Sequence, residues 1–339
     1  MKSSKRILVT GAAGFVGHHF IEHVLKNTDW DVVGLDSFRH RGDSLRVAHL
    51  KGERFRVMTH DLRAPLTLRQ MVLIGQVDYI VNFASLSHVD RAIEDPAPFI
   101  ENNVSLITSI LEFARKAQPR AFIQISTDEV FGPAVAPYKH KEWDLIIPSN
   151  PYAASKAAQE AVAISYWRTY GVPVVITNTM NIFGERQDPE KFVPKVISLI
   201  DADQEVVIHG QPGRVGSRHY LHARNQADAI LHLLQNIEPR RYEGKLDVVE
   251  RPDRFNIVGD AEVDNLSLAQ MIAGFMGKEL RFRFEDFHST RPGHDLRYAL
   301  DGTKMRDFGW RAPVAFEDSL EKTVRWTLRN ENRHWLLAA

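Results

Sequence analysis

Cysteine is absent from this 339-residue chain, which excludes disulfides, thiolate metal sites and cysteine nucleophiles. Such a composition fits a reducing compartment. Excess charge of either sign is missing too, because 43 Lys plus Arg balance 43 Asp plus Glu. That balance gives no broad attraction to nucleic acid or to an anionic membrane, although local basic clusters can still hold a phosphorylated small molecule. No apolar run approaches the ~20 residues that span a bilayer. The mostly apolar stretch 7–17 behind Lys2, Lys5 and Arg6 imitates a secretory signal, but its three evenly spaced glycines suit mature structure better. The chain therefore reads as cytoplasmic. A metal set is also hard to assemble. His19 and His23 have the helical spacing of two ligands, yet no third ligand stands near them, so no catalytic metal is expected.

What is present is an alternation of short β-branched runs with longer helical patterns, the mark of a parallel sheet covered by helices. Strands are expected over 6–10, 31–36, 55–59, 79–83, 121–126 and 174–180, and helices over 14–27, 98–117 and 152–170. Beyond Asn181 the pattern becomes irregular, with short strands expected near 205–209, 254–258 and 281–284. The expected fold is α/β, a Rossmann-type doubly wound parallel sheet with a smaller mixed α/β C-terminal substrate lobe. Residues 1–180 form the nucleotide-binding domain and 181–339 the lobe, with segments returning to the sheet.

Gly11-Ala12-Ala13-Gly14-Phe15-Val16-Gly17 follows the first strand and opens the first helix. Glycine permits the tight turn and lets the backbone approach a pyrophosphate, while the helix N-terminus offers free N–H groups. Asp36 closes the second strand 19 residues after Gly17, where a carboxylate can accept from the adenosine ribose hydroxyls. It repels a 2′-phosphate, so NAD is favoured over NADP; Arg39 and Arg41 close behind pull the other way. Asp61 and Leu62, after the third strand, are candidate adenine contacts, and a turn-forming role suits Asp61 equally.

Tyr152 and Lys156 are four apart, hence on one helix face. A phenol with an ordinary pKa of about 10 is a poor base. A nearby ammonium favours the phenolate, which can take a hydroxyl proton while hydride leaves the same carbon. Thr127, Asp128 and Glu129 follow the fifth strand, facing that helix. Two neighbouring acids can divide acid and base roles if their environments push their pKa values apart; capping the following turn is the other use of such acids.

The segments Ser87-His88-Val89-Asp90-Arg91, Ser126 to Gly132, Asn150 to Lys156 and Arg291-Pro292-Gly293-His294-Asp295 together resemble the dTDP-glucose 4,6-dehydratase family, extended short-chain dehydrogenases of the NAD-dependent epimerase/dehydratase type. The resemblance implies a three-step cycle. Tyr152 deprotonates the sugar 4-hydroxyl as C4 gives hydride to NAD⁺, with Thr127 and Lys156 assisting. Glu129 then removes the C5 proton while Asp128 protonates the leaving 6-hydroxyl, and hydride returns to C6. By the same resemblance Ala84 lies with the cofactor, together with Tyr152 and Lys156. Ser87 and His88 lie near the sugar, and Asn181, Lys191, Phe192, Arg218, Asn256, Arg291 and His294 hold the nucleotide diphosphate. A homodimer through the two long helices is implied as well.

The chain departs from the family at His18, where a small serine is usual, and at Asn82, where histidine is common. Ser85-Leu86, Gly184-Glu185-Arg186 and Arg218-His219-Tyr220 also differ, the last two in the nucleotide-sugar lobe. Alternatives on the same scaffold are a nucleotide-sugar 4-epimerase or decarboxylase, or an NAD-sensing protein without turnover. An epimerase needs no acid pair after the threonine, and a sensor needs neither the acids nor the Tyr–Lys pair.

Overall fold

The computed structural model describes residues 4–39, 42–50, 52–286 and 295–337. In chain order its strands are β1 (Arg6–Thr10), β2 (Asp31–Asp36), β3 (Phe55–Thr59), β4 (Tyr79–Asn82), β5 (Ala121–Thr127), β6 (Val174–Thr179), β7 (Asn181–Phe183), β8 (Val206–Gln211), β9 (Arg214–Val215), β10 (Ser217–His222), β11 (Asp253–Ile257), β12 (Glu262–Asp264) and β13 (Phe282–Glu285). The helices are α1 (Phe15–Asn27), α2 (Leu45–Ala48), α3 (Leu68–Ile74), α4 (Val89–Glu94), α5 (Pro96–Ala117), α6 (Pro151–Tyr170), α7 (Phe192–Asp201), α8 (Ala223–Asn236), α9 (Asn265–Met276), α10 (Thr303–Asp307) and α11 (Phe316–Thr327).

Seven strands pair in the order β11-β6-β5-β4-β1-β2-β3, all parallel. Chain progression reverses between β1 and β4, and ligands bind at such a switch point, outside the carboxyl ends of the strands. Both faces of this sheet are covered, which explains the unbroken apolar runs. Ile7 and Val9 of β1 enter one core with Phe20 and Val24 of α1 and Ile230 of α8. Leu8, between them, enters the other with Ile110 of α5 and Trp167 of α6. Alternate residues of one strand thus serve opposite layers. Each such side chain contributes ~1.5–3 kcal/mol by leaving water.

The lobe has its own core, where Val196 and Ile197 of α7 meet Ile272 of α9 and Leu320 of α11. Two three-stranded sheets, β12-β10-β7 and β13-β8-β9, frame it. Met180 alone separates β6 from β7, and β11 pairs with β6 from Asp253↔Val175 to Ile257↔Thr179. The two parts are therefore joined through the main sheet. Among the described residues, no helix is long and apolar enough to cross a membrane.

The long helices begin slightly earlier than their apolar periodicity implies. Pro96 and Pro151 sit in the first turns, where a missing N–H costs nothing. Asn150 caps α6 by accepting from Ala153 N at 2.9 Å, and Gly171 ends it at φ 68°. This fixes the start of the helix that carries Tyr152 and Lys156.

Candidate active site

The nucleotide loop is shaped by its glycines. A Cβ on Gly17 would lie 2.1 Å from the Gly11 carbonyl oxygen, and one on Gly11, at φ 64°, would lie 2.9 Å from Ala84 N. Gly14 opens α1 without any side-chain cap, so the first-turn N–H groups of Phe15, Val16 and Gly17 are left for an anion. Asp36 reaches across from β2. Its Oδ2 accepts from Ala13 N and its Oδ1 from Phe38 N, both at 2.8 Å. Burial pushes this carboxyl up, and the two backbone N–H groups pull it back. Leu62 is buried. Asp61 is paired with Arg39 at 2.6 Å and with Arg63 at 2.7 Å, so Arg39 is already engaged by a carboxylate. Arg41 lies outside the described residues. An uncapped helix start, a glycine-lined turn and a carboxylate at the end of β2 together fit NAD.

Thr127, the last residue of β5, starts a single 3₁₀ turn, Asp128–Phe131. Its hydroxyl oxygen, rather than either acid, caps the turn by accepting from Glu129 N at 3.4 Å, and its O–H donates to Asp128 Oδ1 at 2.9 Å. Asp128 is buried, and its Oδ2 has no hydrogen-bond partner among the described residues. Burial, then the charge of Glu129, push its pKa up to about 7. Burial raises Glu129 as well, but Asn150 Nδ2 donates to its Oε2 at 2.9 Å, and Arg218 and Lys191 add positive field. The two acids therefore sit in unlike surroundings.

Tyr152 is partly buried at the start of α6. Burial, then Glu129 and Asp128, raise its phenol, while a hydrogen bond with Thr127 lowers it. Without a positive partner this phenol stays protonated. One turn on, Lys156 Nζ donates to Ile125 O at 2.7 Å and to Gln159 Oε1 at 2.6 Å. Burial brings Lys156 down to about 7, against the pull of Glu160.

Four residues around this group were given no role by the sequence reading. Glu160 and Arg254 form a wholly buried ion pair at 2.5 Å. Asn178 Nδ2 joins Glu160 Oε1 at 2.9 Å to the Thr127 carbonyl at 3.0 Å, tying the pair to the floor of the site. Asn150 both caps α6 and holds Glu129. Its position before Pro151 is a helix-start signal that could have revealed the first role; Glu160, Arg254 and Asn178 depend on partners far along the chain.

On the substrate side, Ser87 O accepts from Lys191 Nζ at 3.2 Å, and His88 Nε2 lies 2.9 Å from Glu190. Ser87, His88 and Lys191 thus come together where the lobe meets α4, and Phe192 opens α7 beside them. Asn181 is exposed at the start of β7. Arg218 is brought to the wall near the acids, but its guanidinium is turned onto the carbonyls of Ser217, Leu296 and Asp295 at 2.6–2.7 Å. Asn256 is wholly buried in β11, donating to His140 O and Asp301 O, and so is not presented to a ligand. Arg291 and His294 lie outside the described residues. His18 bonds back to the start of its own helix, and His19 serves the packing of α1 against the lobe. His18 Nδ1–H donates to Gly14 O at 3.1 Å, and His19 Nε2–H donates to Glu185 O at 2.9 Å, while Glu185 accepts from His222 Nε2–H at 2.9 Å. His23 instead faces Asp228 at 3.4 Å, so the His19/His23 pair is split between partners.

Comparison with known proteins agrees with this geometry. The family model described as GDP-mannose 4,6 dehydratase matches residues 8–323. The chain is 36% identical over 329 residues to the low-salt glycan biosynthesis protein Agl12 of Haloferax volcanii, covering 96% of this chain and 99% of that protein. It is 32% identical over 352 residues to the dTDP-glucose 4,6-dehydratase of Shigella flexneri, covering 96% and 94%. Among solved structures, the dTDP-glucose 4,6-dehydratase DesIV from Streptomyces venezuelae, crystallised with NAD, superposes with a TM-score of 0.83 at 32% identity, covering 97% and 98%.

Proposed function

Because the chain belongs to the nucleotide-sugar dehydratase family of the GDP-mannose 4,6 dehydratase model, with dTDP-glucose 4,6-dehydratases among its relatives, we propose that it converts an NDP-glucose to the NDP-4-keto-6-deoxyglucose. As a hydro-lyase it would take dTDP-glucose as first-choice substrate. The observation that carries the reading is the unlike pair Asp128 and Glu129 beside Tyr152.

NAD⁺, held by the Gly11–Gly17 loop, Asp36 and the residues at the end of β4, supplies when bound the acceptor for hydride from C4, its donor to C6, and a positive charge near the phenol. Tyr152 takes the proton of the sugar 4-hydroxyl, while the Thr127 hydroxyl bonds the same oxygen and Lys156 favours the phenolate. The resulting 4-ketone acidifies C5–H. Glu129, held by the Asn150 amide, removes that proton. Asp128, kept partly protonated near neutrality, gives its proton to the departing 6-hydroxyl, and water leaves. Lys191, Ser87, His88, Phe192 and Asn181 are assigned to the nucleotide diphosphate and sugar, with Arg291 and His294 completing the set. Arg218 and Asn256 act through the backbone they hold. A 4-epimerase would use the same Tyr152 and Lys156 but gives no task to a half-protonated Asp128.

The protein is further assigned as a cytoplasmic homodimer joined through α5 and α6. These helices are already tied to each other by the Tyr166 hydroxyl donating to Glu112 at 2.7 Å. Incubation of the NAD-loaded protein with dTDP-, UDP- and CDP-glucose, followed by mass spectrometry, tests the reaction and the base together. The reading requires a product one water lighter from at least one of them. An isomer of unchanged mass would replace it with an epimerase.

A further inference from the structure

Four uncharged polar side chains run in file through the centre of the main sheet, each 0–1% exposed: Thr10 on β1, Asn82 on β4, Gln124 on β5 and Gln159 on α6. Their hydrogen bonds all point one way. Ala84 N donates to Thr10 Oγ1 at 3.2 Å, and the Thr10 hydroxyl donates to Asn82 Oδ1 at 2.5 Å. Asn82 Nδ2 donates to Gln124 Oε1 at 2.8 Å, and Gln124 Nε2 donates to Gln159 Oε1 at 3.1 Å. Gln159 Nε2 closes the file on Asn103 O at 3.1 Å. The file begins at the residue before Gly11 and passes through the oxygen that receives Lys156 Nζ.

This direction decides which end of the Gln159 amide faces the lysine. A flip would set its NH₂ against the NH₂ of Gln124 and the ammonium of Lys156, and its oxygen against Asn103 O. Three buried contacts would become repulsive at once, so the carbonyl is locked toward Nζ. An ammonium has three donors, and Ile125 O and Gln159 Oε1 take two of them. One N–H is left for the ligand side.

We propose that Gln159, oriented by the file from Thr10 through Asn82 and Gln124, is the positioning residue that keeps Lys156 charged and aimed in the C4 oxidation. The proposal rests on the assignment of Lys156 to that step. Burial works against the charge and brings Lys156 down to about 7. Among the described residues Glu160, on the same helix, is the charged group that raises it, and Glu160 is shared with Arg254 of β11. β1, β4 and α5 offer only the neutral Thr10, Asn82 and Asn103. β5 and its 3₁₀ turn bring Asp128 and Glu129, which act on Tyr152. The carbonyls of Ile125 and Gln159 are then the near neutral dipoles available to hold the proton, and that of Gln159 is the side-chain group the file orients.

The test is a titration of the Lys156 ε-carbon by NMR in NAD-loaded, ¹³C-lysine-labelled protein, with the resonance assigned by its loss in Lys156→Arg. Gln159→Leu should lower the midpoint by about one pH unit or more, the scale of a lost hydrogen bond to a charge. Gln159→Glu should raise it. In steady state the Leu variant should lose kcat on the order of 10-fold at neutral pH with little change in KM. Unchanged midpoints in both variants overturn the proposal, even if activity or Tm falls. Should the Leu variant not fold, the Glu variant decides alone: an upward midpoint supports the role and an unmoved one overturns it. The titration needs no turnover, so an inert wild type would refute the dehydratase reading while the midpoints still judge Gln159.

Discussion

The cofactor side and the substrate lobe of this molecule are built on different principles. Around the nucleotide loop the groups left for a ligand are backbone N–H donors, beside the Asp36 carboxylate that Ala13 N and Phe38 N hold in place, set by glycines and a strand end only 19 residues apart. On the substrate side the polar side chains nearest the site already serve the protein: Arg218 on three carbonyls, Asn256 on two, His88 on Glu190. Between them sits the proposed catalytic group, local in sequence but held by distant partners. The first region is pre-formed for its ligand. The second owes its shape to long-range bonds.

The largest effect expected from breaking this arrangement is at Tyr152. Tyr152→Phe should lower NADH formation on the order of 10²–10⁴-fold in a single turnover, because the oxidation loses its base. Next comes the support beneath Thr127. Glu160→Ala leaves Arg254 buried and unpaired, and chemical denaturation should show a loss of about 3–5 kcal/mol. The contact between α1 and the lobe should respond to acid. Burial holds His19 down at about 3 and lowers His222 too, so an unfolded chain takes up protons below 6.5 that the folded one refuses. Stability is then present above 6.5 and lost as pH falls toward 3, and His19→Gln should flatten that decline in Tm. The smallest change falls on the pre-formed side. Asp36→Asn should weaken NAD binding by about 10-fold and narrow the preference over NADP, read by calorimetry.

The sequence was most informative where function and local geometry coincide. The glycine loop, Asp36 and the Tyr–Lys spacing are short-range patterns, and the strands announced themselves because strands buried on both faces are mostly apolar. The short helices α3 and α4 fell outside the reading, although Thr67 and Gln70 form a capping box around the start of α3. In the lobe the strands expected near 205–209 and 281–284 match β8 and β13, but β7, β9, β10 and β12 were missed, because they are two to six residues long and, β9 apart, their partners lie far along the chain. Buried partners such as Glu160–Arg254, 94 residues apart, leave no periodic trace. The same holds for Arg218. As an arginine it promised an open phosphate ligand; its bonds to Asp295 and Leu296 depend on a chain reversal that no local motif encodes.

The division of labour between Asp128 and Glu129 is tested most directly by rapid mixing of NAD-loaded Asp128→Asn protein with dTDP-glucose. In the proposed cycle oxidation at C4 needs only Tyr152, Thr127 and Lys156, so NADH should accumulate and persist while no 4-keto-6-deoxy product forms. Wild-type product formation without trapped NADH would contradict the account.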